Sequence, residues 1–152
     1  MSKELVDQLN ASRFGTLWEP LGIRMVEAEP DRVVGTMPVG PATRQQYGML
    51  HGGATLALAE TVASVGTVLN IDRQRQVAVG LEINANHLRP KFDGMITAEA
   101  IPLHRGRTTM VWDIKIRDEQ DRLIAVSRCT IAVLERTDRH GPVVDPFPPR
   151  AE

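Results

Sequence analysis

Cysteine is nearly absent: Cys129 is the only one in 152 residues. No internal disulfide framework can form, which suits a reducing compartment, and a cytoplasmic location is expected. The opening residues MSKELVDQLN contain no apolar core of the kind an export signal needs. Net charge is close to zero, at -1, so there is no basic surplus for nucleic acid or an anionic membrane, and neither is expected as a partner. His51, His87, His104 and His140 fall at no metal-ligand spacing, and no metal is expected. Ser64 lacks the G-x-S-x-G setting of a nucleophile elbow, because Val62 occupies the first glycine position. There is no P-loop, no dinucleotide fingerprint, no internal repeat and no linker. The composition, 42% hydrophobic and 24% charged, is that of one globular domain spanning residues 1–152. Its tail from Arg136, with Pro142, Pro146, Pro148 and Pro149, is expected to be irregular.

One stretch stands out, QQYGMLHGGATLALAETVASVGTVLNI from Gln45 to Ile71. Within it only Glu60 carries a carboxylate, and there is no Lys or Arg. The run is too long for an ordinary strand and sparing of glycine after Gly53, so it reads as a helix entered through a glycine turn. Leu56, Ala59, Glu60, Ala63 and Thr67 fall near one stripe; Leu58, Val62, Val65 and Leu69 widen it. The helix is then apolar nearly all round, the mark of a helix enclosed by the rest of the fold. Glu60 and the many small polar residues argue against a membrane span.

An enclosed carboxylate needs donors, since burying it unpaired would cost several kcal/mol, as much as a domain's whole stability. Ser64, one turn later, lies on the same face. At the other end, His51-Gly52-Gly53 leaves the first helical N–H groups unpaired, a ready site for a carbonyl oxygen gaining negative charge, and Gln45 and His51 can add donors. Gly52 and Glu60 stand about 12 Å apart along a helix. One carbonyl carbon cannot easily reach both in a single copy. If both serve one reaction, two antiparallel copies about a two-fold axis must supply them, and the active unit is at least a dimer.

The rest of the chain alternates. Residues 3–13 read as a short surface helix with Leu5, Val6 and Leu9 on its apolar side, and Thr16 to Leu21 as a connector. Ile23–Glu29 and Arg32–Pro38 form a hairpin turned at Pro30-Asp31. After the helix, Gln76 to Leu88 is a long strand whose Val77, Val79, Leu81, Ile83 and Ala85 share a buried face that His87 ends. Met95–Leu103, Thr108–Arg117 and Leu123–Leu134 supply three more strands through short connections. An antiparallel sheet wrapped around the long helix buries both, an α+β architecture.

The segments GMLHGGATLALAE, GLEINANHLRP, PLHRGRTT and DRLIAVSRCTIAVL, within Leu17 to Leu134, resemble the hotdog-fold thioesterases. The branch is the one containing 4-hydroxybenzoyl-CoA thioesterase of the Arthrobacter type, the phenylacetate-pathway thioesterases and 1,4-dihydroxy-2-naphthoyl-CoA hydrolase. The resemblance implies hydrolysis of aromatic, and also medium-chain, acyl-CoA thioesters, with no cofactor, coenzyme A being part of the substrate. It makes Glu60 the nucleophile or general base, the Gly52 amide the group that polarises the carbonyl, Gln45 and His51 its helpers, and Ser64 the hydroxyl that orients water. It assigns coenzyme A to Gly80, to His87, Leu88, Arg89 and Pro90, and to His104, Gly106, Arg107, Thr108 and Thr109, with Arg89, Lys91, Arg105 and Arg107 offering charge to phosphates. It implies Gly52 and Glu60 of one site from different subunits, and a homotetramer built from two dimers. A hotdog hydratase or dehydratase, and a non-catalytic acyl-CoA binding module, are the other readings open at this point.

Overall fold

Leu5 and Leu9, one turn apart, are buried and seat the first helix, α1 (Lys3–Ala11), on the rest of the chain. The structure, a computed structural model, describes residues 3–140 and residue 147. Asn10 ties α1 to the first strand: its Oδ1 accepts the Met25 N–H at 2.8 Å and its Nδ2 donates to the Met25 carbonyl at 2.9 Å. The segment expected to be a connector holds one helical turn, α2 (Trp18–Leu21). Pro20 sits early in that turn, where no N–H is needed, and Gly22 at φ 70° ends it.

The strands are β1 (Arg24–Glu29), β2 (Arg32–Pro38), β3 (Gln76–His87), β4 (Met95–Arg105), β5 (Thr109–Arg117) and β6 (Leu123–Glu135). Between β2 and β3 runs α3 (Gly52–Leu69). The sheet is antiparallel throughout, in the order β1-β2-β4-β5-β6-β3, and α3 packs against all six strands. This is the expected α+β hotdog arrangement, a sheet wrapped around its helix. Beyond β6, Asp138–His140 makes a single 3-10 turn. The remainder of the tail expected to be irregular lies outside the described residues, Phe147 excepted.

Trp112, fully buried on β5, marks a close approach of helix and sheet. Its Nε1 donates to Thr67 Oγ1 at 2.9 Å, which in turn donates to the Ala63 carbonyl at 3.0 Å. Gly66 faces the indole, and a Cβ there would lie 2.7 Å from Trp112 Cζ2. Only glycine leaves room for the ring.

Two expectations change. The helix is not enclosed all round within one chain: Thr55, Leu58, Ala59, Val62, Ala63, Val65, Gly66 and Thr67 are buried, while Ala57, Glu60, Thr61, Ser64 and Val68 are only half-buried. The sheet covers one side of α3, and apolar residues on the other side line a cavity instead. By length and composition α3 could cross a membrane, but one of its sides packs on the sheet and Glu60 stands on the other. Nor does β3 have a clean buried face. It is an edge strand whose alternation is broken by a bulge between Gly80 and Glu82, and Val79 and Leu81 are 43% and 64% exposed.

Candidate active site

Glu60 stands midway along α3 on its open side, in the wall of a cavity of about 680 Å³. Ser64 follows one turn later in the same wall. The other walls are mostly apolar, with Leu9, Leu17 and Trp18 from the N-terminal segment, Leu56, Val65 and Val68 from α3, and Phe147, while Ser12, Arg13, Thr16 and Thr61 add polar groups. The Glu60 carboxylate lies over Gly80 of β3. A Cβ at position 80 would collide with Oε1 and come within 3.1 Å of Cδ. Gly80 therefore makes room for the carboxylate, a role in addition to the coenzyme A contact that the resemblance implies. Cys129 of β6 is close enough to feel Glu60 as well. Burial, and then the Glu60 and Glu82 carboxylates, push its thiol up to about 12. The cysteine is an inert core residue.

The opening of α3 forms a second cluster. His51 is the N-cap: its Nδ1 accepts the Gly53 N–H at 2.8 Å, so the neutral ring carries its proton on Nε2. The Gly52 N–H, at the first helical position, meets no acceptor among the described residues. The His87 ring lies against Gly52, where a Cβ would lie 2.9 Å from Nε2. Gln45 accepts the Tyr47 N–H with its Oε1, which leaves its amide NH2 to donate. Gln45, Gly52, His87, Leu88, Arg89 and Pro90 line one cavity of about 370 Å³. His87 is thus part of the site wall rather than a plain strand end.

The third group lies apart. His104, Arg105, Gly106, Arg107, Thr108 and Thr109 form the β4–β5 turn, closed by the Gly106 N–H to the Thr109 carbonyl at 2.9 Å. Gly106 also leaves room for the His104 imidazole. Thr109 pairs with Ala132, which pairs with Val79, so this turn sits near the Gly80 level of the sheet. His87 is seven residues further along β3, about 20 Å away. The residues the resemblance assigns to coenzyme A therefore lie at two separate levels of the sheet and are not brought together within one chain. Lys91 is a correction: it is buried, with Nζ 2.6 Å from Glu119 Oε2, and is not a free charge for phosphate. Glu119 had no signal in the sequence, where Asp118–Asp121 reads as a surface turn. Trp18 and Leu17, in the supposed connector, were missed as cavity walls for the same reason. Among the described residues, no three His, Cys, Asp or Glu side chains are grouped as metal ligands.

Gly52 and Glu60 belong to one unbroken helix, so their separation of about 12 Å stands. One chain presents a donor site at one place and a carboxylate at another.

Residues 47–125, from the loop before α3 to the start of β6, match the Thioesterase superfamily. The 1,4-dihydroxy-2-naphthoyl-CoA hydrolase of Listeria monocytogenes is 44% identical over 120 residues, covering 79% of this chain and 97% of that one. A solved mutant thioesterase of Pseudomonas aeruginosa superposes with a TM-score of 0.84 at 40% identity, covering 86% of this chain and 94% of that one. Two solved structures of the Staphylococcus aureus protein SAV0944, one with a glutamate and one with a glutamine replaced by alanine, give TM-scores of 0.77 and 0.75. They are 42% and 43% identical and cover 79% and 77% of this chain, and 99% and 97% of their own.

Proposed function

This chain belongs to the thioesterase superfamily and is a thioester hydrolase, and from that premise we propose that it cleaves aromatic acyl-CoA thioesters to free acid and coenzyme A. The acyl groups are of the 1,4-dihydroxy-2-naphthoyl or hydroxybenzoyl kind, with medium chains also accepted. The observation that carries this reading is the placement of Glu60. Among the described residues it is the one carboxylate in the walls of a largely apolar cavity, seated on a glycine that leaves it room. The relative named for naphthoyl-CoA hydrolysis supports the choice of acyl group. A further support is an interval: the glutamine and the glutamate replaced in the Staphylococcus aureus protein stand fifteen positions apart, as Gln45 and Glu60 do.

In the proposed reaction the thioester carbonyl oxygen points at the Gly52 N–H, with the Gln45 amide and His51 Nε2 as further donors. Glu60 of the partner copy either takes a proton from water, which Ser64 orients, or attacks the carbonyl carbon itself. The carbon–sulfur bond then breaks, and the coenzyme A thiolate leaves and is protonated; in the second route a water then hydrolyses the acyl–Glu60 anhydride, which releases the free acid and restores the carboxylate. Negative charge gathers on the carbonyl oxygen as the bond to the incoming oxygen forms, where the unpaired helical N–H stabilises it most. The residues of this chain suffice for these steps, and no metal or cofactor is called upon.

Two copies are required because Gly52 and Glu60 are too far apart on one helix. The outer edge of β3, with Val79 and Leu81 exposed, and the open side of α3 are the surfaces we assign to the two-fold contact. Such a contact also lets the His87–Pro90 and His104–Thr109 groups of different copies serve one coenzyme A. Two dimers then make a tetramer. The buried, unpaired Cys129 suits the cytoplasm, where we place the protein.

The test is free thiol release from a panel of aromatic and aliphatic acyl-CoAs, with hydration of enoyl-CoA followed beside it. Aromatic thioesters should give the highest kcat/KM. Hydration of enoyl-CoA with no thiol released would overturn the reading.

A further inference from the structure

Lys91 is about nine-tenths buried, and what it meets is Glu119, from a turn far along the chain. Lys91 lies in the connection from β3 to β4, Glu119 in the turn from β5 to β6. While Oε2 of Glu119 takes the Lys91 ammonium at 2.6 Å, Oε1 accepts the N–H of Met95, the first residue of β4. Gly94 passes beneath the carboxylate, where a Cβ would lie 2.9 Å from Cδ of Glu119. Lys91 chiefly, with backbone N–H groups, holds the Glu119 carboxyl down at about 2.

Residues 91–95 are thereby clamped, and the loop before α3 hangs from them. The Lys91 carbonyl accepts the Leu50 N–H at 2.7 Å. The Phe92 carbonyl accepts Nε and Nη2 of Arg44 at 3.0 and 2.7 Å. The Gly94 carbonyl accepts the Val39 N–H at 2.8 Å. Arg44 and Leu50 bracket Gln45, and Leu50 directly precedes His51 and Gly52. Lys91 is buried but Glu119 is exposed, and such a half-solvated ion pair adds little net stability, so what it contributes here is geometry.

We propose that the Lys91–Glu119 pair is a positioning device for the donor end of the site, fixing the backbone from which the Arg44–His51 loop hangs. It sets where the Gln45 amide and the Gly52 N–H stand when charge develops on the thioester oxygen. The proposal rests on the reading of Gly52 and Gln45 as oxyanion donors given above. Neither Lys91 nor Glu119 touches substrate; both act through the loop.

Three variants test it, with kcat and KM measured well below each melting temperature: Lys91→Met, which keeps the stem, Lys91→Arg, which keeps the charge, and Glu119→Gln. Lys91→Met should lower kcat about tenfold or more with KM changed less, since misplaced donors act on the transition state. Lys91→Arg should recover most of the loss, and Glu119→Gln should fall between. Wild-type kcat in Lys91→Met and Glu119→Gln, whatever their melting temperatures, overturns the proposal. Should Lys91→Met not fold, the kcat of Glu119→Gln decides alone, by the same criterion. Glu60→Gln run alongside separates the two readings. If Glu60→Gln is inactive while the clamp variants match wild type, only the clamp fails; if Glu60→Gln is active, the reading of the site fails first.

Discussion

Gly80→Ala places one methyl group where the Glu60 carboxylate now rests. The added carbon would overlap Oε1 and lie 3.1 Å from Cδ. Ordinary contact requires about 3.5 Å or more between carbon atoms, so the carboxylate must retreat by roughly 1 Å or more. It has room to do so, because Glu60 is only half-buried and borders a cavity of about 680 Å³. The fold should not suffer. Gly80 has no left-handed backbone to protect, and alanine in a strand is favoured over glycine by roughly 0.5–1 kcal/mol. Stability and activity should therefore move apart. A displacement of about 1 Å can lower the rate about 10²-fold, equivalent to about 2.7 kcal/mol of transition-state stabilisation. The assay is steady-state thiol release, with thermal unfolding followed on the same preparations. The expected result is a melting temperature equal to or above wild type, KM little changed and kcat down by about two orders of magnitude. A Gly80→Ala protein with wild-type kcat would refute the claim that Glu60 reacts from its position over Gly80.

Two other perturbations probe the frame around the site. Gly66→Ala should improve helix propensity by about 1 kcal/mol yet overpack against the Trp112 indole at a cost of about 1–3 kcal/mol, so the urea midpoint should fall. A rise would show that Trp112 can yield. Glu119, held at about 2 against an ordinary 4.5, stabilises the fold fully above pH 4.5 and loses that contribution as pH falls through its folded value. Unfolding midpoints of wild type and Glu119→Gln should therefore differ most near neutral pH and converge between about pH 4.5 and pH 2. A gap unchanged by acid would place the effect elsewhere.

The period of the apolar residues made the strands and the long helix legible, since alternation and helical spacing follow from which side a residue faces. Glu60 was legible because a single carboxylate in an apolar helix needs a reason, and Gly52 because a glycine pair opens that helix. What periodicity cannot report is which apolar face the chain itself covers. Val79 and Leu81 alternate as buried residues do but stand exposed on an edge strand, and the side of α3 away from the sheet is apolar without being covered by it. Contacts between distant turns were equally hidden. Lys91 and Glu119 are 28 positions apart, each in a turn that reads as surface, and only the folded sheet brings them together. Trp18 looked like part of a connector because Pro20 masks a single helical turn.

The most direct measurement is kcat for Glu60→Gln on the best aromatic acyl-CoA of the panel. The amide keeps the size of the side chain but can neither take a proton from water nor attack a carbonyl. With Glu60 as nucleophile or base, kcat should drop by about 10² or more while the melting temperature stays close to wild type. A Glu60→Gln enzyme that releases coenzyme A at the wild-type rate would contradict the account, and the carboxylate in the cavity wall would then be a structural acid.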